Sequence, residues 1–180
     1  MALEVWNTIF AGATFAVIAA TAIAALIQLR HLRAGNQLNA LLTFMQMWDK
    51  PDMQSHISYT HTELQPKLKD PAFLAQFREP GVSRDEHPEL LVADYWEQIG
   101  AYMKYDLVDA RPWLDVAAPQ AIRAWNDLEP AIMSMRERFG LASFENFEYI
   151  AVRARQWIER YPNGNYPASV PRMNEMKRGT

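Results

Sequence analysis

The chain has 180 residues and a formal net charge of −3 at pH 7, and 49% of its residues are hydrophobic. This nearly balanced charge argues against nucleic-acid binding, which needs a basic stripe or patch. Because the chain contains no cysteine, the sequence excludes a disulfide framework, thiolate metal ligands and a cysteine nucleophile.

The first predicted element is an uncharged, mostly apolar run of 25 residues, from Val5 to Leu29. As a helix this run is roughly 37 Å long, against about 30 Å for the hydrocarbon core of a bilayer. The alternatives are a buried core helix, which seldom has so long an uncharged run, and a cleaved signal peptide, which needs positive charge before the run. Here the first positive charges, Arg30 and Arg33, follow the run. We therefore expect a transmembrane anchor over residues 1–29.

Two further features of the anchor bear on its orientation and its partners. Arginines beside a span stay on the cytoplasmic side, so Arg30 and Arg33 predict that the N-terminus lies outside and the bulk of the chain inside. Small or polar residues recur at every fourth position and let two membrane helices approach closely. This spacing predicts a helix-packing face for a second copy or another membrane protein, formed by Thr8, Gly12, Ala16, Ala20, Ala24 and Gln28.

The helical pattern continues beyond the anchor. Apolar residues recur at spacings of three and four as far as Trp48, and the first proline is Pro51. Gly35 is the weak point, but a glycine inside a helix costs only about 1 kcal/mol. We expect one helix from about Val5 to about Trp48, whose second part forms a stalk over residues 30–50.

Prolines punctuate the helices expected over residues 51–160. Pro51 opens a helix that includes Ile57, His61, Leu64 and Leu68. A short helix follows Pro71, and residues 78–88 form a loop. The next helix begins at Pro88, a favourable first position, and its inward residues are Leu91, Tyr95, Ile99 and Tyr102.

The second half of this domain is expected to contain a short helix within residues 106–119 and a separate helix that begins at Pro119. Pro130 should bend that helix, and Gly140 should end it. Ser143 is the expected cap of the last helix, whose inward residues are Phe144, Phe147, Ala151, Ala154 and Ile158. Residues 161–180 have no periodicity and predict a mobile tail. The fold class is all-α: one transmembrane helix that continues into a cytoplasmic stalk and a bundle of five to six helices.

Three stretches resemble one family: "YWEQIGAYMKYDLVD" at 95–109, "AIRAWNDLEPAI" at 121–132 and "RERFGLASFENFEYIA" at 136–151. The anchor and stalk, residues 23–48, are similar to it as well. It is the bacterial family of unknown function numbered 4760, whose members pair an N-terminal membrane helix with a cytoplasmic helical domain. The resemblance covers residues 23–158 and implies a location in the bacterial inner membrane. It implies no reaction, cofactor or catalytic residue.

No phosphate-binding, nucleophile-elbow, zinc-protease or calcium-binding motif occurs in the sequence, and we expect no catalytic residue, metal or cofactor. Carboxylates three residues apart, Asp94 with Glu97 and Glu145 with Glu148, are typical of salt bridges at helix junctions. A candidate buried polar network consists of Asp94, Glu97, Arg123, Glu148 and Arg153. An aromatic pocket lined by Trp96, Tyr102 and Trp125 beside Glu97 is the alternative that an enzyme would use.

These patterns favour a membrane-anchored assembly or accessory protein that acts through protein–protein contacts. Its expected partners are the lipid bilayer and either a membrane protein or a second copy of the chain. The alternative is an unrecognised enzyme or ligand sensor with a pocket in the cytoplasmic domain. A third alternative is a signalling or defence role in which the anchor reports the state of the membrane, and no residue pattern selects for it.

Overall fold

The computed structural model describes residues 2–173, and these residues form helices and connecting turns with no β-strand among them. Met1 and residues 174–180, which include the end of the predicted tail, lie outside the described residues. The helices in that part of the chain are α1 (Ala2–Trp48), α2 (Pro51–Thr62), α3 (Leu64–Lys67), α4 (Pro71–Gln76), α5 (Glu89–Lys104), α6 (Ala110–Phe139) and α7 (Glu145–Arg160). The all-α fold class is therefore confirmed.

Helix α1 runs for 47 residues without a break at Arg30 or Gly35. It can do so because no proline precedes Pro51 and because a single glycine costs a helix little. The chain divides after Thr43 into two compact units, so the last turn of α1, from Phe44, belongs to the second unit.

The core of the second unit is built around α5. Trp96 of α5 is buried and contacts Trp113 of α6 edge-on, with ring centroids 5.1 Å apart, and Phe147 of α7 at 6.2 Å. Sequence periodicity predicted a single inward stripe on α5, and Leu91 and Tyr102 of that stripe are only half-buried. Because α2, α6 and α7 all pack on α5, the buried surface of α5 is wider than one stripe. Helical periodicity alone then does not identify which residues of α5 are buried.

The expected break before Pro119 is absent, because one helix, α6, runs for 30 residues through Pro119 and Pro130. The bend expected at Pro130 stays a prediction. The prolines are exposed and stand 11 residues apart, close to three turns, so they share the outward face. Each proline leaves one backbone carbonyl without its helical partner, and water satisfies such a carbonyl on an exposed face. The apolar face of α6 stays continuous, and its packing offsets the cost of the prolines.

The segment after Pro51 is also divided differently. Leu64 and Leu68 were expected in the same helix as Ile57, but α2 ends at Thr62 and Leu64 begins the short helix α3. Pro66 explains the division, because its ring clashes with the carbonyl of Thr62 and restricts the preceding residue. Leu64 and Leu68 are nevertheless buried.

Ser143 does not cap α7. The residue at the N-cap is Phe144, which has a left-handed backbone with φ of 55° and offers no side-chain cap. Ile158, predicted to face inward, is exposed, whereas Phe147, Ala151 and Ala154 are buried as expected. The predicted inward face of α7 is therefore kept, and the exposed Ile158 lies in the last turn of the helix.

Candidate functional site

The most extensive surface feature of the first unit is the apolar surface of α1. Between Val5 and Leu29 almost every side chain is exposed, large ones such as Phe10 and Phe15 included. By length and composition α1 is able to cross a membrane, and none of its most apolar 18-residue window is buried. Its threonine hydroxyls donate to carbonyls one turn earlier, from Thr14 to Phe10 and from Thr21 to Val17, both at 2.8 Å. These hydroxyl donors therefore need no water.

The predicted packing face lies on this exposed helix, and all six of its residues, Thr8, Gly12, Ala16, Ala20, Ala24 and Gln28, are exposed. A Cβ atom added at Gly12 would have open space around it. Arg30 and Arg33, the predicted cytoplasmic-side residues, are exposed on the same helix.

In the second unit a cleft of about 440 Å³ lies between the end of α1, α2 and α5. Its apolar lining includes Met47, Met53 and Leu91, and Asp94 is one of its carboxylates. Arg84 holds that carboxylate with two hydrogen bonds: Nε donates to Oδ2 at 3.0 Å and Nη2 to Oδ1 at 3.1 Å. The carboxylate of Asp94 thus binds Arg84 and holds the loop before α5 against that helix.

Tyr95 lines the same cleft, and its hydroxyl donates to the carbonyl of Phe44 at 3.2 Å. Burial, with a smaller contribution from the charge of Asp49, raises the pKa of Tyr95 well above its usual range. The phenol therefore stays protonated at neutral pH and acts as a donor that fixes the end of α1 within the second unit.

Glu97 caps α7 from a neighbouring helix. Its Oε2 accepts from the backbone N–H of Phe147 at 2.7 Å, and its Oε1 accepts from Nδ2 of Asn146 at 2.7 Å. Gly100, one turn along α5, permits the close approach, because a Cβ atom there would lie 1.9 Å from the carbonyl oxygen of Asn146. Since an anion at a helix N-terminus is stabilised by the helix dipole, Glu97 serves as the missing cap of α7.

The charged pair beside this cap is exposed. Lys104 donates to Glu145 at 2.8 Å across the ends of α5 and α7. This hydrogen bond and the charges lower the pKa of Glu145 and raise the pKa of Lys104. Because both groups face solvent, the contact orients the helix ends more than it stabilises them.

Arg136 supports the left-handed turn that begins α7. Its side chain is buried, and its Nε donates to the carbonyl of Ser143 at 2.9 Å while Nη2 donates to that of Phe144 at 3.3 Å. Its Nη1 donates to Oε2 of Glu148 at 2.8 Å. One guanidinium thus satisfies the carbonyl of Ser143 and adds a second donor to the carbonyl of Phe144, which also accepts from the backbone N–H of Glu148 at 3.1 Å.

The structure does not join the five residues of the predicted polar network. Asp94 pairs with Arg84, and Glu148 pairs with Arg136, while Glu97 holds backbone and amide groups of α7. The two arginines expected as partners are exposed: Arg123 lies 3.9 Å from Asp127, and Arg153 donates to the hydroxyl of Tyr149 at 2.9 Å. The observed partners of Asp94, Glu97 and Glu148 lie ten or more residues away along the chain. The spacing of residues on one helix does not predict such pairs.

The aromatic side chains of the expected pocket pack against other aromatic rings. Trp96 and Trp125 are buried, and both pack against Phe147. Tyr102 is half-buried and contacts Phe44, with ring centroids 5.5 Å apart. These aromatic rings contact one another, and those of Trp96, Trp125 and Phe147 lie in the core of the second unit.

Sequence reasoning missed a buried acid–base pair at the start of α5. Nδ1 of His87 donates to Oε1 of Glu89 at 2.8 Å, and the two side chains are 4% and 0% exposed. The rings of Phe73 and Phe77 pack on the imidazole of His87. Among the described residues, Oε2 of Glu89 has no hydrogen-bond partner. The only sequence signal was the short spacing of His87 and Glu89 around Pro88, which is equally common on surfaces.

Within residues 2–173, no group of three histidine, aspartate or glutamate side chains is arranged to hold a metal ion. His61 pairs with Asp127 of α6.

Comparison with known proteins places the chain in one family. No curated protein and no solved structure matches it. One family model matches residues 15–154, more than three quarters of the chain, and its description is a domain of unknown function, DUF4760. This match includes most of α1, the whole of α2 to α6 and the first ten residues of α7. The chain therefore belongs to the DUF4760 family, as the resemblance of its helices suggested.

Proposed function

We propose that this protein is a single-pass membrane protein whose cytoplasmic helical domain acts in assembly, as a self-associating or accessory subunit. Residues before the span lie outside the bacterial cytoplasmic membrane, Arg30 and Arg33 lie at its inner face, and the domain from Phe44 onward lies in the cytoplasm. The two arginines support this orientation, because cationic residues beside a span are retained in the cytoplasm.

The observation that carries the proposal is the exposure of α1. A helix whose uncharged apolar side chains are exposed over Val5–Leu29 needs an apolar environment, and its 25-residue run is long enough to supply one full crossing of a bilayer. The threonine hydroxyls that donate to carbonyls of the preceding turn are compatible with the same environment. An unsatisfied donor would cost free energy in hydrocarbon.

Assembly is favoured over catalysis by how the carboxylates of the second unit are used. Asp94 fastens a loop through Arg84, and Glu97 caps α7. A general acid or base has to reach a substrate proton from a cleft, whereas these two groups are engaged in positioning the helices. The domain is therefore best explained as a rigid folded module that presents a surface.

Two measurements test the proposal. The full-length protein should remain in the membrane fraction after alkaline carbonate washing, and recovery in the soluble fraction would refute the anchor. A pull-down from a mild detergent should then recover a stoichiometric partner, either a membrane protein or a second copy.

The packing face is tested separately by the triple variant Gly12→Leu, Ala16→Leu and Ala20→Leu. Larger side chains there should weaken association measured in membranes, because they keep two helices apart. The matched control is Ala11→Leu, Ala22→Leu and Ala25→Leu, on the opposite side of the helix. Equal association of both triple variants and the native protein would eliminate the face as an interface.

A further inference from the structure

A second stripe on α1 begins at the end of the packing face and continues past the arginines. Its members are spaced four and three residues apart in alternation, and all are exposed: Ala24, Gln28, His31, Gly35, Leu38 and Leu42. At 100° per residue these six residues fall within a sector about 80° wide. We call this stripe the stalk seam.

Lipid does not reach the far end of the stalk seam if the bilayer core ends near Leu29. Leu38 and Leu42 lie about 13 and 20 Å further along the helix axis, whereas each headgroup layer is only about 5 to 7 Å thick. Their side chains are 57% and 46% exposed. No charged residue occurs between Ala34 and Thr43, so this part of α1 lacks the charged surface that a solvated helix usually carries.

We propose that a second copy of the chain covers the stalk seam, in a parallel pair of helices in the same register. This inference rests on the proposed function, because the bilayer holds both copies parallel and at the same height. Spacings of four and three in alternation are those of a parallel coiled coil. Gly35 has open space at its Cβ position, which permits close approach of two backbones.

The polar and charged residues around the stalk seam fit an identical partner. The amide of Gln28 carries both donors and an acceptor, so two copies of Gln28 complement each other across a two-fold axis. Arg33 lies on the side opposite the centre of the seam, and Arg30 lies about 120° from it. The arginine charges of two copies are therefore kept apart when the seams meet.

Membrane confinement lowers the area that this contact requires. A stable complex in solution buries about 800 Å² on each partner, and one helical stripe offers less than that. Two copies held in one bilayer meet at a high effective concentration, so a narrow seam is sufficient.

Cysteine cross-linking tests the pairing directly, because the native chain contains no cysteine. The full-length single variants Leu38→Cys and Leu42→Cys are placed in membranes and treated with a mild oxidant. The matched controls are Asn36→Cys and Thr43→Cys, which are exposed on the same stretch of helix but lie at least about 100° from the centre of the seam. We expect a covalent dimer of twice the 20.7 kDa chain mass for the seam variants, formed several times faster than for the controls.

Four outcomes would overturn the pairing. Equal cross-linking at all four positions would indicate random collision. Absence of the dimer, with every variant still in the membrane fraction, would refute the pairing and leave the anchor intact. A cross-linked band of a different mass would show that another membrane protein covers the seam. If the variants and the native chain are recovered in the soluble fraction, the anchor and the pairing fail together.

Discussion

Replacing Glu97 should separate the capping of α7 from every other contribution to the stability of the domain. In the variant Glu97→Ala the backbone N–H of Phe147 and the amide of Asn146 both lose their acceptor. Loss of a helix cap costs about 1 kcal/mol, and a hydrogen bond to a charged group contributes about 1.5 kcal/mol when it is partly exposed. Since the two terms overlap, we expect a loss of about 2 kcal/mol. The variant Glu97→Gln keeps one oxygen acceptor and should lose about half as much.

The assay is thermal unfolding of the full-length protein in a mild detergent, followed by tryptophan fluorescence. Trp96, Trp113 and Trp125 are buried in the second unit, so their emission reports its unfolding. For a domain of this size 1 kcal/mol shifts the Tm by about 3 °C, which predicts a decrease of about 6 °C for Glu97→Ala and about 3 °C for Glu97→Gln.

The matched control is Gln98→Ala, an exposed position next along α5, which should change the free energy of unfolding by less than about 0.5 kcal/mol. The capping argument is refuted if Glu97→Ala unfolds at the same temperature as the control, because the carboxylate would then be replaceable by water.

Three further predictions concern the same unit. Gly100→Ala should destabilise the protein by about 1 to 2 kcal/mol in urea unfolding. The cost of overpacking against Asn146 should exceed the gain in helix propensity. A variant that is more stable than the native protein would show that α7 does not pack this closely on α5. The hydrogen bonds and the charge of Arg111 lower the pKa of Asp109, which is the N-cap of α6. The contribution of ionised Asp109 to the free energy of unfolding is therefore fully present above the pKa of the unfolded carboxyl, and it is lost as the pH falls through the lower pKa of the folded state. The variant Asp109→Asn should therefore show a smaller fall in Tm below about pH 4 than the native protein, and parallel curves would contradict this. Finally, His87→Leu should lower the free energy of unfolding by about 3 kcal/mol, because it leaves the carboxylate of Glu89 buried without its partner. The double variant His87→Leu and Glu89→Leu should lose less. If the effects of the two single variants simply add in a double-mutant cycle, the coupling is refuted.

Features that depend on local sequence were predictable. The uninterrupted helix α1 follows from the absence of proline before Pro51, and the end of α6 follows from Gly140. The inward positions of Tyr95, Ile99 and Phe147 follow from helical spacing. Each of these properties is decided within a few turns of one helix, where propensity and periodicity act.

Features that depend on contacts between helices were not predictable. The cap of α7 is Glu97, which precedes Phe147, the residue whose backbone N–H it accepts from, by 50 residues. No sequence motif at the start of α7 therefore predicts this cap. The continuity of α6 through Pro119 depends on packing that outweighs a local penalty. The pair of His87 and Glu89 is distinguished from a surface pair by burial alone, and burial is set by the aromatic residues that pack around it.

The orientation of the chain in a bilayer can be measured directly. Single cysteines replace Leu3, near the start of α1, and Ser55, an exposed residue of α2, and bacterial spheroplasts are treated with a membrane-impermeant thiol reagent before and after lysis. We expect Leu3→Cys to be labelled in intact spheroplasts and Ser55→Cys to be labelled only after lysis. Labelling of Ser55→Cys before lysis, or the reverse pattern at the two positions, would contradict the proposed orientation.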